Sequence, residues 1–472
     1  MRALLRYGPY ALVLGIGVFF QITGRIHAGD TRSLVHGVGA IRRSLAEWKR
    51  PDDPMDVFHF PLYQYIPGLA FAYLGATEET SLDLFCVLSL LAFAGSVALM
   101  VNTLRARSRA VAAAAALILV AGPLLSYSRA SFGEMLAAFL ILAHTAGCLR
   151  SAGPVATAAL FVPAGLTKET ALPFLLLIAA VGFLMDRRAG RPWSGARVTA
   201  VGCAALVTAG LTVGFNYYRF GTPYNAELLR PLFIVPSLKT QASFFAAIWL
   251  SPNGGVSFFW PSFVVAVAGC AAAVLRTQRP ARPSLIPLAG AGALLLLLTA
   301  GFSKWYAPFG WPAWGPRLML PWIPACVLLV FWYYAKEFGE ALDRLCVRPG
   351  RWLLVLSVLA AASLPQAVVL ARPAVQDRIN YLRPGRQVGD GRAYYYRGLH
   401  HILWPRPHEV VLLACYRAIP REVPVLLTSL AFTLAVVGFG WQIRVLGQLR
   451  QRSTTLPQPA TGHGTAAARR AG

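Results

Sequence analysis

The chain has 472 residues, of which 56% are hydrophobic and only 13% charged, about half the charged share of an average soluble domain; an ordinary water-soluble fold is excluded. A formal net charge of +25 would suit nucleic acid in a soluble protein, but here the basic residues lie in short loops between apolar runs, where they meet anionic lipid. Nucleic-acid binding is therefore excluded, and the seven scattered cysteines lack the close spacing of a metal site.

The first apolar segment, Tyr7 to Thr23, follows Arg2 and Arg6 and reads as an uncleaved anchor with its N-terminus inside. Region 25–81 follows as a first outer loop. In it Leu34, Val38, Ile41, Leu45 and Trp48 recur at steps of four and three, with Arg42, Arg43 and Lys49 on other faces, which predicts an amphipathic helix lying in the interface. Arginine clusters at 105–109, 187–197 and 276–282, the stretch 336–351 and the tail from Arg444 mark the cytoplasmic side. All five share one side only if Leu62 to Ala76, interrupted by Pro67, lies along or dips into the outer face without crossing. The expected crossings are 5–24, 82–104, 110–127, 132–149, 154–167, 169–185, 198–218, 257–275, 285–302, 318–335, 351–371 and 423–446. Of the 19 acidic residues, only Asp186, Glu337, Glu340 and Asp343 then fall inside.

Two further outer regions follow, 216–256 with a Ser251-Pro252-Asn253-Gly254-Gly255 turn, and 372–422 with Tyr394 to Tyr396, His400, His401 and Trp404. The expected fold is thus one all-α polytopic membrane domain over 1–449, a bundle of about 12 (11 to 13) transmembrane helices with interfacial helices in the first outer loop. The tail 450–472 is expected to be a disordered cytoplasmic segment. The inner loops are too short for a nucleotide-binding domain and contain no GxxxxGK[ST], so ATP-driven transport within this chain is excluded.

Several short segments share an order and an outward face: Gly29-Asp30-Thr31 after the first span, His59-Phe60-Pro61-Leu62-Tyr63, Ser128 to Glu134, Leu166-Thr167-Lys168, and Trp314-Gly315-Pro316-Arg317. In this the chain resembles the C-type superfamily of integral-membrane glycosyltransferases, especially its protein O-mannosyltransferase and aminoarabinose transferase branch. The resemblance implies a bundle with a cavity on the non-cytoplasmic face, a polyprenyl-phosphate-linked sugar donor, and an acidic residue in the first outer loop as catalytic base. Where relatives often carry a second proline or a lysine near Pro61, this chain has Phe60 and His59.

Each candidate has two readings. Asp30 is either the base, within reach of an acceptor hydroxyl, or an N-cap of the interfacial helix. Glu134, in the first turn of a span, suits the helix dipole; as a functional carboxylate it would place the acceptor or hold a metal. Arg317 follows Pro316 at an expected helix start, where a bound phosphate would reverse the unfavourable dipole; the alternative is an arginine snorkelling to headgroups. Lys168 invites the same pair of readings, with Glu169 as a structural partner. His59, Arg129 and Lys304 are further donor-phosphate candidates, and Tyr63, Trp314, His400 and His401 candidate substrate contacts; all could be interfacial anchors. No cofactor is required, and a divalent metal, though compatible, is not indicated, since Asp52-Asp53 is no DxD motif and HExxH is absent.

The expected activity is inverting glycosyl transfer from a polyprenyl-phosphate donor to an acceptor hydroxyl on a glycan, lipid or protein, at the periplasmic or outer face of a plasma or inner membrane. The alternative is a 12-span secondary transporter of the major facilitator type, to whose G-x-x-x-D-R-x-G-R loop Gly182 to Arg191 bears a likeness. Against it, the ionisable residues gather at one face and not at midplane.

Overall fold

The computed structural model describes residues 2–23, 25, 29–51, 65–191, 193–225, 234, 237–276, 284–305, 309, 315–371 and 411–455. All named elements within these are helical. In chain order they are α1 (Arg2–Thr23), α2 (Gly29–Ala46), α3 (Ile66–Tyr73), α4 (Glu78–Leu104), α5 (Arg109–Val120), α6 (Pro123–Tyr127), α7 (Glu134–Leu149), α8 (Pro154–Gly165), α9 (Ala171–Arg188) and α10 (Gly195–Phe220). There follow α11 (Leu238–Leu250), α12 (Val256–Phe259), α13 (Pro261–Leu275), α14 (Ile286–Ser303), α15 (Ile323–Tyr333), α16 (Ala335–Val347), α17 (Pro349–Ala371), α18 (Val411–Ala418) and α19 (Val423–Thr455). Five of them, α4, α10, α14, α17 and α19, are individually long and apolar enough to cross a membrane. The chain is an all-α polytopic membrane protein.

Each expected crossing contains a helix; two are divided by a proline, and 318–335 begins in a 3-10 turn before α15. The 110–127 crossing divides into α5 and α6 at Gly122-Pro123, and 257–275 divides at Trp260-Pro261; proline lacks the N–H needed to continue a helix but suits its first turn. The break at Gly122 is also where Trp260 enters. A Cβ on Gly122 would lie 2.3 Å from the Trp260 indole, whose Nε1 donates to the carbonyl of Ile118 at 2.7 Å. Buried Gln366 of α17 then ties α6 to α12, with Ser126 Oγ donating to its Oε1 at 3.1 Å and its Nε2 donating to the Phe259 carbonyl at 3.1 Å.

The core centres on α5, in which every residue from Ala110 to Val120 is buried. Its run of alanines lets neighbouring helices approach closely, as small residues do in membranes. At α17 and α19 the same job falls to Gly440, where a Cβ would stand 2.1 Å from a Leu356 methyl.

Two expectations are corrected, the stripe of α2 and the start of the tail, and two regions gain helices that the sequence did not reveal. The interfacial helix α2 forms, but its buried side is Val38, Ala40, Ile41 and Ser44, while Leu45 and Trp48 are exposed; α2 ends at Ala46, and Trp48 sits in a turn at φ 52, off the helical stripe. Region 216–256 contains α11, which packs on α14 and donates from Trp249 Nε1 to Thr299 Oγ1 at 3.1 Å. The basic stretch 336–351 holds the amphipathic helix α16, burying Phe338, Leu342 and Cys346. Finally, α19 runs on to Thr455, so the tail cannot begin as a disordered segment at Arg450; the residues after Thr455 lie outside the described part. Between Leu62 and Ala76 the described helix α3 has 8 residues, about 12 Å at 1.5 Å per residue, less than half of the ~30 Å hydrocarbon layer.

The basic clusters meet on one face of the bundle. Arg188 donates to Ser284 Oγ at 2.7 Å, Tyr334 Oη donates to the Ser284 carbonyl, Arg107 lies over the Trp332 ring, and Arg450 pairs with Asp343 at 3.4 Å. These contacts join the loops after α4, α9, α13 and α15 to the end of α19.

Candidate carboxylate and cation site

At the opposite end of the bundle, three loop-to-helix junctions converge. Glu134 is the first residue of α7, behind Gly133, and is fully buried. Lys168 lies in the turn between α8 and α9, its carbonyl accepting from Ala171 N at 3.0 Å. Arg317 opens a three-residue 3-10 turn, Arg317–Met319. It follows Gly315, whose φ of +65 would strain any side chain and whose missing Cβ lets Phe259 pack within 3.0 Å of where one would stand.

A single oxygen, Glu134 Oε1, accepts from Arg317 Nε at 2.7 Å and from Lys168 Nζ at 3.3 Å. The Arg317 guanidinium carbon lies 4.1 Å from the Phe132 ring centroid, which adds a cation–π contact to the ion pair. Arg317 is 94% and Lys168 78% shielded at the side chain, against 99% for Glu134 (6%, 22% and 1% exposed). The trio carries a formal charge of +1 and opens outward through Lys168. It is also recessed: α8 has 12 residues, about 18 Å of helix, and starts just after Arg150, whose Nη2 binds the Asn102 carbonyl at the other end of α4.

Two expectations about these residues change. The chain after Pro316 is a short 3-10 turn and α15 starts at Ile323, so no long helix dipole acts on Arg317; Glu134 supplies the compensating charge. Lys168 does not pair with its neighbour Glu169. That carboxylate faces the other way, where its Oε1 accepts from buried Arg219 Nη2 and from Asn225 Nδ2 at 2.9 Å. Arg219 also donates to Asn216 Oδ1 from Nε at 3.2 Å and Nη2 at 2.7 Å. Nothing in the sequence singled out Arg219, which reads as an ordinary basic residue in the last turn of a span.

Arg129 is fully buried and donates to the Val369 carbonyl at 3.2 Å and to that of Leu370, satisfying carbonyls left open at the end of α17. Burial lowers its pKa to about 10, so it remains charged at neutral pH. Lys304 is exposed at the C-terminal end of α14. Asp30 is the second residue of α2, and its side chain lies outside the described part, as do His59, Tyr63, Trp314, His400 and His401 altogether. Among the described residues no group of three His, Cys, Asp or Glu side chains is arranged to hold a metal.

No family model matches the chain, and no curated protein matches it. Among solved structures the chain is similar to ArnT from Cupriavidus metallidurans bound to undecaprenyl phosphate, at 17% identity and a TM-score of 0.46, over 94% of this chain and 77% of that one. The apo state of the same protein gives 16% identity and a TM-score of 0.46, over 93% and 77%.

Proposed function

We propose that the chain is an inverting glycosyltransferase, moving a sugar from a polyprenyl-phosphate donor to an acceptor hydroxyl on the extracytoplasmic face of a plasma or inner membrane. The observation that carries this reading is the meeting of Glu134, Lys168 and Arg317. Each ends one of the motif segments that make the sequence resemble C-type glycosyltransferases, and the three come from positions 34 and 183 residues apart. Their distance from the arginine-rich face supports an extracytoplasmic site, since basic loops stay inside.

The chemistry fits the charges. Asp30 removes the proton from the acceptor hydroxyl, the oxygen attacks the anomeric carbon, and the bond from that carbon to the phosphate oxygen breaks. Its electron pair stays with the leaving polyprenyl phosphate, which passes from a singly charged diester toward a doubly charged monoester. Lys168 and Arg317 stabilise the charge as it grows, which is where fixed cations help most. Glu134 serves here as the brace that fixes both cations in advance and lowers the cost of burying them.

Transfer of radiolabelled sugar from polyprenyl-phosphate donors, measured in membranes, tests the assignment. Asp30→Asn abolishes transfer with expression unchanged, and Lys168→Met weakens binding of undecaprenyl phosphate. Full transfer by Asp30→Asn would remove it as the base. Solute uptake in proteoliposomes without sugar transfer would favour the transporter.

A further inference from the structure

On the same face as the carboxylate site, α2 and α3 lean together with the first turns of α4 around a cavity of about 250 Å³. That α2 belongs to this face is fixed by its Val38 and Ile41, which pack with Tyr65 and with Leu166, two residues before Lys168. The cavity exists because its walls are small. A Cβ on Gly68 would come within 2.5 Å of Val38, so the helices touch there, whereas one on Gly39 would meet nothing nearer than Arg43 Nη1 at 3.7 Å. Beyond the touching point Gly39, Ala72, Ala76 and Ser81 leave the space open.

The rim is cationic. His36, Gly39 and Arg43 follow one another at helical spacing along a single stripe, with Arg42 beside them, and Glu78 is the one carboxylate among the lining residues. Arg42 and Arg43 are exposed, and Arg42 stands 5.6 Å from the Tyr73 ring centroid. An arginine pair on this face runs against the charge bias that places Lys and Arg on the other side. Phosphates of the headgroup layer are anions that would compensate such a pair at a membrane surface.

We propose that this cavity seats the phosphate of a phospholipid headgroup from the leaflet it faces. Arg42 and Arg43 are the phosphate ligands, and Val35, Val38 and Ala72 form the apolar wall beside the glycerol. The site shares no residue with the carboxylate and cation trio and stands whether or not the transferase reading does.

Binding of dioctanoyl phosphatidylglycerol to the full-length protein in detergent, titrated by native mass spectrometry, is the test, with inorganic phosphate as competitor. Arg42→Gln with Arg43→Gln weakens binding about tenfold or more. Lys49→Gln with Arg50→Gln removes the same charge from the turn just beyond α2 and leaves affinity within about twofold. Gly39→Leu fills the cavity with all charges kept and also weakens binding, which keeps the test decisive if the double arginine variant fails to fold. Equal loss in the two double variants, or undiminished binding by Gly39→Leu, would overturn the site. Displacement of the lipid by inorganic phosphate at equal concentration would overturn the lipid assignment and leave a free-anion site.

Discussion

Glu134 holds two cations through one oxygen, and that sharing decides what its removal does. Truncating one member of a buried pair leaves a desolvated charge behind and costs about 3–5 kcal/mol, whereas removing both members is far cheaper. Glu134→Ala therefore lowers thermal stability in detergent sharply. Glu134→Gln combined with Arg317→Gln is more stable than the sum of the single losses, with a coupling of roughly 1–3 kcal/mol. A strictly additive double-mutant cycle would show that the 2.7 Å contact contributes nothing. Arg317→Lys is not conservative here, because it gives up both the Nε contact and the planar stacking over Phe132.

At the scale of elements, the end of α10 is the strut of the site. Tyr218 donates from its hydroxyl to Ser44 Oγ of α2 at 2.7 Å, and the next residue, Arg219, holds Glu169 beside Lys168. Consecutive residues thus fix α2, which carries Asp30, and the turn that presents Lys168. On the proposed transfer reaction, Arg219→Gln frees Glu169 to compete for Lys168, so the donor KM rises more than kcat falls, and adding Glu169→Gln restores the KM. If the second substitution deepens the defect, Glu169 is not the competitor. This pairing was not legible in the sequence. Adjacent residues suggested that Lys168 and Glu169 belong together, yet neighbours at a helix start point apart, and the real partner of Glu169 is 50 residues away. Hydropathy, by contrast, exposed the apolar segments, because ~20 apolar residues have few other uses, but not the breaks at Pro123 and Pro261 inside two of them. The helix α11 was hidden because its length falls below a span, and α16 because its charges drew attention away from the Phe338, Leu342 and Cys346 stripe.

Across the whole molecule, the two ends carry different charge patterns: short arginine-rich loops and α16 at one, the buried Glu134 with its two cations at the other. Where α16 meets α19, Asp343 is shielded to 90% at its side chain (10% exposed), and pairs with the more exposed Arg450 at 3.4 Å; its backbone carbonyl accepts from Gln451 at 3.3 Å. Burial raises the Asp343 pKa, and Arg450 offsets this only in part. A carboxyl whose folded pKa lies above its unfolded value contributes stability that is complete below the unfolded pKa, near 4, and is lost as pH rises through the folded pKa. Ionised Asp343 is therefore a net cost at neutral pH, at the place where α19 passes α16. Asp343→Asn raises the unfolding temperature at pH 7, and the gain shrinks to nothing as the pH is lowered to about 4. Unfolding of the detergent-solubilised protein followed across that range measures it. A lower unfolding temperature at pH 7 would mean that the ion pair to Arg450 outweighs desolvation, and that α19 is fastened at its end by charge and not by the packing of Gly447 against Cys346.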